Sequence, residues 1–195
     1  DLAKLRPDGS TVLAYSQKEI DRINPENMFE SMGEKSNGFE LPGWEPERMA
    51  RIKELFDMYR DVNADVLFDN LVYFLKAIRP VCEKYDIRMA IHPDDPPYPI
   101  FGLPRIITCE ENLDRFLALV DSPANSLCLC TGSLGCAKSN DVAKMVRKYS
   151  AMGRIGFMHI RNVKIMDDGS FEERAHLSGC GSLDIYEIVK ALVET

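Results

Sequence analysis

Two histidines and one cysteine each close a short apolar segment that has the composition of a β-strand and is followed by turn-forming residues. They are His92, Cys130 and His159, which are separated by 38 and 29 residues. These spacings are about the length of one βα unit. The carboxyl ends of the strands of a parallel barrel meet at one face, where the active sites of such enzymes lie. The three side chains can therefore converge on one ion, and the pattern predicts a metal-dependent enzyme.

Each of the three residues also has an ordinary structural explanation when it is taken alone. A histidine at a strand end can satisfy a turn carbonyl, and a lone cysteine is usually a buried, inert thiol. Their recurrence at three consecutive strand ends favours the metal site. Two imidazoles and a thiolate suit zinc, iron or cobalt better than manganese, and a carboxylate ligand would harden the site. Strand alternation places Asp94 on the side of His92, although Asp94 and Asp95 could equally form a solvated turn.

Arg161 and His176 are the candidate substrate contacts. If the strand of His159 continues, Arg161 lies on the same side of it, where its guanidinium could pair with a substrate carboxylate through two hydrogen bonds. The alternative for Arg161 is a salt bridge at the rim of the sheet. His176 lies in a loop before the last predicted helix, a common position for binding residues, and its alternative is a surface histidine on a short turn.

Helices and strands alternate in the part of the sequence that carries these residues. Helical periodicity predicts five helices. The first spans about 46–62, the second spans about 66–85 with Asn63 or Asp65 as its cap, and the last begins at about Leu183. The third follows a capping box formed by Thr108 and Glu111, and the fourth follows a cap at Ser139 or Asn140. Apolar runs predict strands at 88–92, 126–130 and 155–160, and a further strand is expected at 11–15. The continuous apolar character of the three later strands predicts a parallel sheet that is buried on both faces.

This alternation predicts an α/β fold, either a barrel or a doubly wound sheet. No Gly-rich phosphate loop opens a predicted helix, which disfavours the nucleotide-binding doubly wound form. Three or four strands are fewer than the eight of a closed (β/α)8 TIM barrel. The barrel is therefore favoured, with an incomplete sheet, as a single domain over residues 1–195. Residues at about 24–46 show no sustained period, and we expect a long loop or insertion there.

Composition limits the partners and the compartment. The net charge of −7 and the lack of a basic stripe disfavour a nucleic-acid partner. No run of 18 or more apolar residues is present, so no membrane span is expected. The six cysteines have irregular spacings, unlike the frame of a small secreted domain, and we expect free thiols in a reducing cytoplasm.

At these residues the sequence resembles the mannonate dehydratase family. The matching segments are Ile91-His-Pro-Asp-Asp-Pro-Pro97, Gly102-Leu-Pro-Arg105, Leu129-Cys-Thr-Gly-Ser133, His159-Ile-Arg161, Ala175-His-Leu177, Asp184-Ile-Tyr-Glu-Ile-Val-Lys190 and Leu5-Arg-Pro-Asp-Gly9. The resemblance extends over nearly the whole chain, and the His-Pro-Asp-Asp-Pro-Pro run is highly specific.

The resemblance implies a (β/α)8 barrel that dehydrates D-mannonate to 2-keto-3-deoxy-D-gluconate with Mn²⁺ or Fe²⁺, in the cytoplasmic breakdown of hexuronates. It implies that His92, Cys130 and His159 are metal ligands. The family's fourth ligand, an aspartate in an Asp-His motif, and its acid–base histidine and tyrosine have no counterpart in these 195 residues. The expectation is therefore that the sequence covers about half of a family member and contains no assignable catalytic residue.

Two other functions stay open at this point. Another metal-dependent sugar isomerase on the same barrel plan is the alternative enzyme, although such enzymes usually favour carboxylate-rich metal sites. The alternative without catalysis is an inactive truncated product that serves as an assembly partner or scaffold. In the preferred interpretation the ligand is a small-molecule sugar acid and the assembly is a homo-oligomer, with no nucleic-acid or membrane partner.

Overall fold

The computed structural model describes residues 3–5, 11–13, 16, 18, 46–100 and 102–195. The chain divides into two compact units, Asp1–Asp61 and Val62–Thr195. In the first unit, β1 (Ala3–Leu5) pairs antiparallel with β2 (Thr11–Leu13), and α1 spans Pro46–Tyr59. The expected strand at 11–15 and the expected helix at 46–62 are thus present in shorter form. The loop expected at about 24–46 lies outside the described residues, apart from Pro46, which begins α1.

The second unit alternates helices with strands. Its elements are α2 (Ala64–Lys84), β3 (Met89–Ile91), α3 (Glu110–Leu119), β4 (Asn125–Cys130), α4 (Thr131–Gly135), α5 (Val142–Ala151), β5 (Ile155–His159), β6 (Asn162–Ile165), β7 (Phe171–Arg174), a 3₁₀ turn (Ser178–Cys180) and α6 (Ile185–Val193). Strands β3, β4 and β5 form a parallel sheet in that order. This sheet and its helices confirm the α/β class. The described residues do not themselves form a closed barrel.

The central strand β4 separates two faces of the sheet. Every residue of β4 is buried. Leu127 and Leu129 belong to the hydrophobic core with the helices, so Cys128 and Cys130, which alternate with them, lie on the opposite face. Burial on both faces was also expected for β5, but Phe157 is 60% exposed, so that prediction is wrong there. The reason is position in the sheet: among the described strands, β5 has a neighbour on one side only.

One hydrophobic core joins the helices to the sheet. Apolar side chains from α2, α3, α5 and α6 meet Leu127 and Leu129 in a single cluster, as their helical spacing predicts. The members contributed by these helices are Phe68, Leu75, Leu113, Phe116, Leu117, Val142, Met145, Val146, Tyr149, Ile185, Ile188 and Ala191. The helices therefore cover the face of the sheet that carries Leu127 and Leu129, and the core does not include the opposite face, which carries Cys130. None of the described helices is long and apolar enough to cross a bilayer.

Helix caps were predicted with mixed success. Asn63 caps α2, because its side chain accepts the Val66 amide hydrogen at 3.0 Å. The capping box at Thr108 is wrong: the cap position of α3 is Cys109, which makes no side-chain cap bond. The cap of α5 was also misplaced. Asp141 accepts the Lys144 amide at 3.0 Å, whereas the Asn140 amide group donates to two backbone carbonyls elsewhere.

The antiparallel hairpin of β6 and β7 was missed. Its register runs from the pair of Asn162 with Arg174 to the pair of Ile165 with Phe171. Gly169 in the connecting turn has a φ of +85°, a conformation that residues with a side chain rarely adopt. An Asp-Gly dipeptide between two short strands is a recognised hairpin signal. Asp168 and Gly169 could therefore have revealed this hairpin.

A buried arginine ties the amino end of β5 to its neighbours. Arg154 is 8% exposed. Its Nε donates to the Asn125 carbonyl at 3.0 Å and its Nη2 to the Leu117 carbonyl at 3.3 Å. Its Nη1 pairs with the Asp121 carboxylate at 2.9 Å. These bonds fix the start of β5 against β4 and the end of α3, at the opposite end of β5 from His159.

We expect the substitution Arg154→Met to lower the free energy of unfolding of the complete protein by about 2–4 kcal/mol, because buried carbonyls lose their charged donor. Urea denaturation measures this change. The control is Asp121→Asn, which removes only the ion pair; the Asp121 side chain is 93% exposed, so an effect of about 0.5 kcal/mol or less is expected. Equal effects of the two substitutions would contradict the assignment.

Candidate metal centre

The structure brings His92, Cys130 and His159 together at the carboxyl end of the parallel sheet. Cys130 ends β4, His159 ends β5, and the two are register partners, while His92 directly follows β3. The potential ligand atoms of the three side chains all lie within 4.8 Å of one another. Donor atoms that bind one ion at about 2.0–2.3 Å lie roughly 3–4.5 Å apart. The cluster therefore has the size of a metal site.

The imidazole of His92 is oriented by the turn that follows it. Its Nδ1 lies 2.7 Å from the Pro93 carbonyl oxygen. A carbonyl can only accept, so Nδ1 carries the hydrogen and Nε2 keeps its lone pair for another partner. Metal-binding histidines are commonly fixed in this way by a carbonyl on the second nitrogen. The hydrogen bond from His92 to a turn carbonyl, which was the structural alternative for this residue, is therefore compatible with metal binding through Nε2.

Cys130 is the buried member of the cluster. It has no exposed surface, whereas His92 and His159 are exposed. Its Sγ accepts hydrogen bonds from the Ser133 hydroxyl at 3.1 Å and from the Ser133 backbone amide at 3.5 Å. A thiolate ligand can only accept hydrogen bonds, and both of these donors point at the sulfur. The surroundings of Cys130 therefore fit a sulfur that binds an ion.

The two carboxylates after His92 have separate structural partners. Asp94 Oδ2 accepts the Ile106 and Ile107 amide hydrogens at 3.0 and 2.9 Å, and the Asp94 amide donates to the Ile107 carbonyl at 3.0 Å. Asp94 thus fastens a distant segment to the turn after His92 and is not simply part of a solvated turn. In the part of the chain that the structure describes, no carboxylate joins the three-residue cluster.

Arg161 lies next to the cluster and forms the salt bridge proposed for it. Its Nη2 lies 2.6 Å from Asp95 Oδ2 and 3.5 Å from the Ser133 hydroxyl. Burial lowers the pKa of the Arg161 guanidinium, but the hydrogen bond and charge of Asp95 outweigh burial and raise it, so the group stays cationic. The Nε is buried and has no hydrogen-bond partner among the described residues. The contacts described for the guanidinium are thus those of Nη2 with Asp95 and Ser133.

The residues after Cys130 hold Arg161 in place. The Thr131 hydroxyl accepts from the Arg161 amide at 2.8 Å and donates to the Arg161 carbonyl at 2.7 Å. Gly132 lies beneath the guanidinium: a Cβ at this position would be 2.1 Å from Arg161 Nε. Only a residue without a side chain leaves room for the arginine there. The Thr131-Gly132-Ser133 sequence is thus shaped by its contacts with Arg161 and Cys130.

The remaining cysteines do not belong to the cluster. All six cysteines are free, as predicted. Cys136 donates to the Gly132 carbonyl at 3.1 Å, and burial, reinforced by the charge of Asp95, raises the pKa of its thiol to about 11. Burial, followed by the neighbouring Cys130, also raises the pKa of Cys128. Both groups are protonated at neutral pH, so Cys130 is the cysteine with the position and partners of a ligand.

His176 lies at the surface beside the end of β5. Its Nε2 is 3.0 Å from the Ile160 carbonyl, to which it donates, and the imidazole is exposed. Among the described residues it does not join the three-residue cluster. The carbonyl that holds it belongs to the residue between His159 and Arg161. A role of His176 in substrate binding stays a prediction.

Sequence reasoning missed most of the residues that surround the ligands. Ser133, Thr131 and Gly132 were quoted only as part of a matching segment, and Asp95 only as part of a turn. Their partners are 28 to 66 residues away in the chain, as for the Arg161 contacts with Ser133 and Asp95. The available signal was a Thr-Gly-Ser sequence of small residues directly after a candidate ligand. Such a sequence indicates close approach of another chain segment.

Comparison with known proteins gives one consistent result. The family described as D-mannonate dehydratase (UxuA) matches residues 1–195. Mannonate dehydratases of Brachyspira hyodysenteriae and Geobacillus thermodenitrificans are 55% and 54% identical to this chain, over 194 and 195 residues, and that of Thermotoga neapolitana is 50% identical over 191. These alignments cover 98–100% of this chain but 53–54% of the relatives. The chain therefore spans about half the length of the curated relatives that it matches.

A solved structure agrees with these relatives. The crystal structure of mannonate dehydratase from Streptococcus suis serotype 2 is 40% identical in sequence and superimposes with a TM-score of 0.74. The superposition covers 100% of this chain and 49% of that chain. The similarity thus extends from the sequence to the fold of these residues.

We expect Asp94→Ala to increase hydrogen exchange at the Ile106 and Ile107 amides and to lower the free energy of unfolding by about 1–3 kcal/mol, because two amides lose their acceptor. Mass spectrometry or NMR of the complete protein measures the exchange. Asp141→Ala is the matched control, since it also removes a carboxylate that accepts a backbone amide. It should affect the Lys144 amide and leave the other two unchanged. Unchanged exchange at Ile106 and Ile107 in Asp94→Ala would refute the role of this carboxylate.

Proposed function

Because this chain belongs to the D-mannonate dehydratase family, we propose that the complete protein dehydrates D-mannonate to 2-keto-3-deoxy-D-gluconate in the cytoplasmic breakdown of hexuronates. The observation that carries the proposal is the meeting of His92, Cys130 and His159 at one end of the sheet. The parallel strands with their helices are, in this proposal, part of a single (β/α)8 TIM barrel. The chain spans about half of its curated relatives, so the activity is proposed for the complete protein, as a homo-oligomer.

The proposed cofactor is Mn²⁺ or Fe²⁺. His92 through Nε2, Cys130 through Sγ and His159 through its imidazole would hold the ion, and the separation of their donor atoms fits this role. A thiolate among the ligands suits Fe²⁺ better than Mn²⁺. When bound, the ion would withdraw electron density from the substrate carboxylate and 2-hydroxyl group and so acidify the proton at C2. The family's fourth ligand, an aspartate, would come from outside these 195 residues.

Arg161 would bind the carboxylate of the sugar acid. Its side chain is 20% exposed, and Asp95 holds one of its terminal nitrogens. Asp95 and Ser133 both contact Nη2, so the carboxylate would approach the other terminal nitrogen, Nη1, without breaking this salt bridge. An anion at this position would gain a charge-assisted hydrogen bond and a fixed orientation. Asp95 would thus orient the guanidinium toward the substrate and leave part of it available for the substrate carboxylate.

His176 would contact the same sugar acid from the loop after β7. Its Nε2 is occupied by the Ile160 carbonyl, which keeps the imidazole beside the carboxyl end of β5. In a dehydration of this kind, a base removes the C2 proton and an acid protonates the departing 3-hydroxyl group. No residue of these 195 is assigned to either proton transfer. The roles proposed for the residues of this chain are binding and orientation of the ion and the sugar acid.

The metal-dependent sugar isomerase is the weaker alternative. Such enzymes usually favour carboxylate-rich sites, whereas the cluster described here consists of two imidazoles and a thiol. The donors directed at Cys130 also favour a functional sulfur over an inert one. The assay below distinguishes the two enzymes by their products.

The experiment that tests the function measures 2-keto acid formation from D-mannonate after loading with Mn²⁺ or Fe²⁺ under reducing conditions. The complete reading frame and the 195-residue chain are assayed side by side, and bound metal is counted. We expect turnover by the complete protein only.

Cys130→Ser in the complete protein should reduce bound metal and turnover by at least 100-fold with little change in unfolding temperature, because a thiolate ligand is lost. Normal metal content and turnover in this variant would refute the site.

The proposed role of Arg161 predicts a change in substrate binding. Arg161→Lys keeps the positive charge but replaces the planar guanidinium, whose donors can bind a carboxylate through two hydrogen bonds, with an ammonium group. We therefore expect the KM for D-mannonate to rise by about 10- to 100-fold. Gly132→Ala should raise the KM in the same direction, because a Cβ would collide with Arg161 Nε. The matched control is Gly179→Ala, since a Cβ at Gly179 would meet nothing within 4 Å. An unchanged KM in both Arg161→Lys and Gly132→Ala would exclude carboxylate binding by Arg161.

A further inference from the structure

We propose that Ser133 is a positioning residue of the metal centre: its hydroxyl orients the Cys130 sulfur and couples it to the Arg161 guanidinium. This inference rests on the proposed function, because it assumes that Cys130 binds the ion. It adds to that function a residue that is not itself one of the proposed ligands. The basis is a chain of hydrogen bonds that has a single direction when Cys130 is a thiolate.

Ser133 is placed beside Cys130 by the short turn of helix that follows β4. Cys130 occupies the cap position of α4, and Ser133 is the third residue of that helix. Both its backbone amide and its hydroxyl lie within hydrogen-bond distance of Cys130 Sγ, at 3.5 and 3.1 Å. Neither residue has exposed surface. Water therefore cannot replace the hydroxyl, and the sulfur depends on this one residue for both donors.

Arg161 and a thiolate at Cys130 together determine the direction of these hydrogen bonds. The guanidinium carries only donors, so its Nη2, 3.5 Å from Ser133 Oγ, can only donate to that oxygen. A thiolate can only accept, so the hydroxyl donates its hydrogen to Cys130 Sγ. The Arg161 guanidinium thus donates a hydrogen bond to the Ser133 hydroxyl, and this hydroxyl donates one to the Cys130 sulfur. Hydrogen bonds that run in one direction polarise and strengthen one another.

The chain has a second buried serine in a purely structural position. Ser126 is also 0% exposed and lies on β4, and its hydroxyl donates to the Met89 carbonyl at 3.2 Å. Truncation of either serine removes one buried hydroxyl and its hydrogen bond. The two positions differ in that only the hydroxyl of Ser133 contacts a proposed ligand. Ser126 is therefore a matched control for the general cost of losing a buried hydroxyl.

Loss of the Ser133 hydroxyl should change the metal site in two ways. Residues that orient a ligand through a hydrogen bond typically contribute about 10- to 100-fold to metal affinity, and we expect a loss of that size in Ser133→Ala. The sulfur would also lose a hydrogen bond that withdraws electron density. The absorption band in which the thiolate transfers charge to bound Co²⁺ should then move to longer wavelength. A merely structural role would not move this band.

The experiment titrates Co²⁺ into the metal-free complete protein and records the thiolate-to-cobalt absorption and the dissociation constant. The variants are Ser133→Ala, Ser126→Ala, Ser133→Thr and Cys130→Ser, and the unfolding temperature of each metal-free protein is measured as well. Among the serine variants we expect weaker binding with a shifted band in Ser133→Ala and an unchanged band in Ser126→Ala, whereas Cys130→Ser should lose the band. Ser133→Thr retains the hydroxyl, so its band should stay at the wild-type position even if the added methyl group lowers stability.

The outcomes separate this inference from the proposed function. A wild-type protein without a thiolate band, or Cys130→Ser with a wild-type band, would refute the metal centre itself and the inference with it. A wild-type band that is unchanged in Ser133→Ala would refute only the role of Ser133. Equal shifts in Ser133→Ala and Ser133→Thr would attribute the effect to packing and would also overturn the inference.

Discussion

The parallel register of β4 with its two neighbours is the constraint on which the rest of the structure depends. Cys130 pairs with His159, and the end of β3 brings His92 to the same edge. Successive residues of a strand face opposite sides, so a shift of one residue would turn Cys130 into the helix-covered core and Leu129 out of it. The register is held at one end by Arg154 and at the other by the two hydrogen bonds between Thr131 and the backbone of Arg161.

Close packing at the carboxyl end of β4 explains the residue types that follow Cys130. The chain turns there directly into α4, whose five residues are all buried. Gly132 leaves room for the guanidinium of Arg161, the Thr131 hydroxyl bonds the backbone of Arg161, and the Ser133 hydroxyl bonds the buried sulfur of Cys130. A larger residue at Gly132 would collide with Arg161, and an apolar residue in place of Thr131 or Ser133 would remove these hydrogen bonds. The residue types after Cys130 are therefore determined by contacts with Cys130 and Arg161.

Local patterns predicted the elements of this structure better than the contacts between them. The helical spacing of Leu113, Phe116 and Leu117 predicted α3, because a helix with one buried face has apolar residues at a regular spacing. Continuous apolar runs predicted β4 and β5. The convergence of the ligands followed from parallel topology. The function of Asp94 could not be predicted in this way, since its carboxylate accepts hydrogen bonds from the amides of residues 12 and 13 positions later. No periodicity encodes such pairs. The capping box at Thr108 failed for a local reason, because the Thr108 hydroxyl oxygen accepts from the Asn112 side-chain amide at 2.9 Å.

The three proposed ligands are held by neighbouring residues of this chain. Cys130 is fully buried, and its sulfur accepts two hydrogen bonds from Ser133. The imidazole of His92 is oriented by the Pro93 carbonyl through Nδ1. Partners of this kind commonly fix the orientation of metal ligands. Arg161 borders the cluster through Ser133 and pairs with Asp95, so the orientation of the ligands and of the neighbouring cation arises from one hydrogen-bonded set of residues.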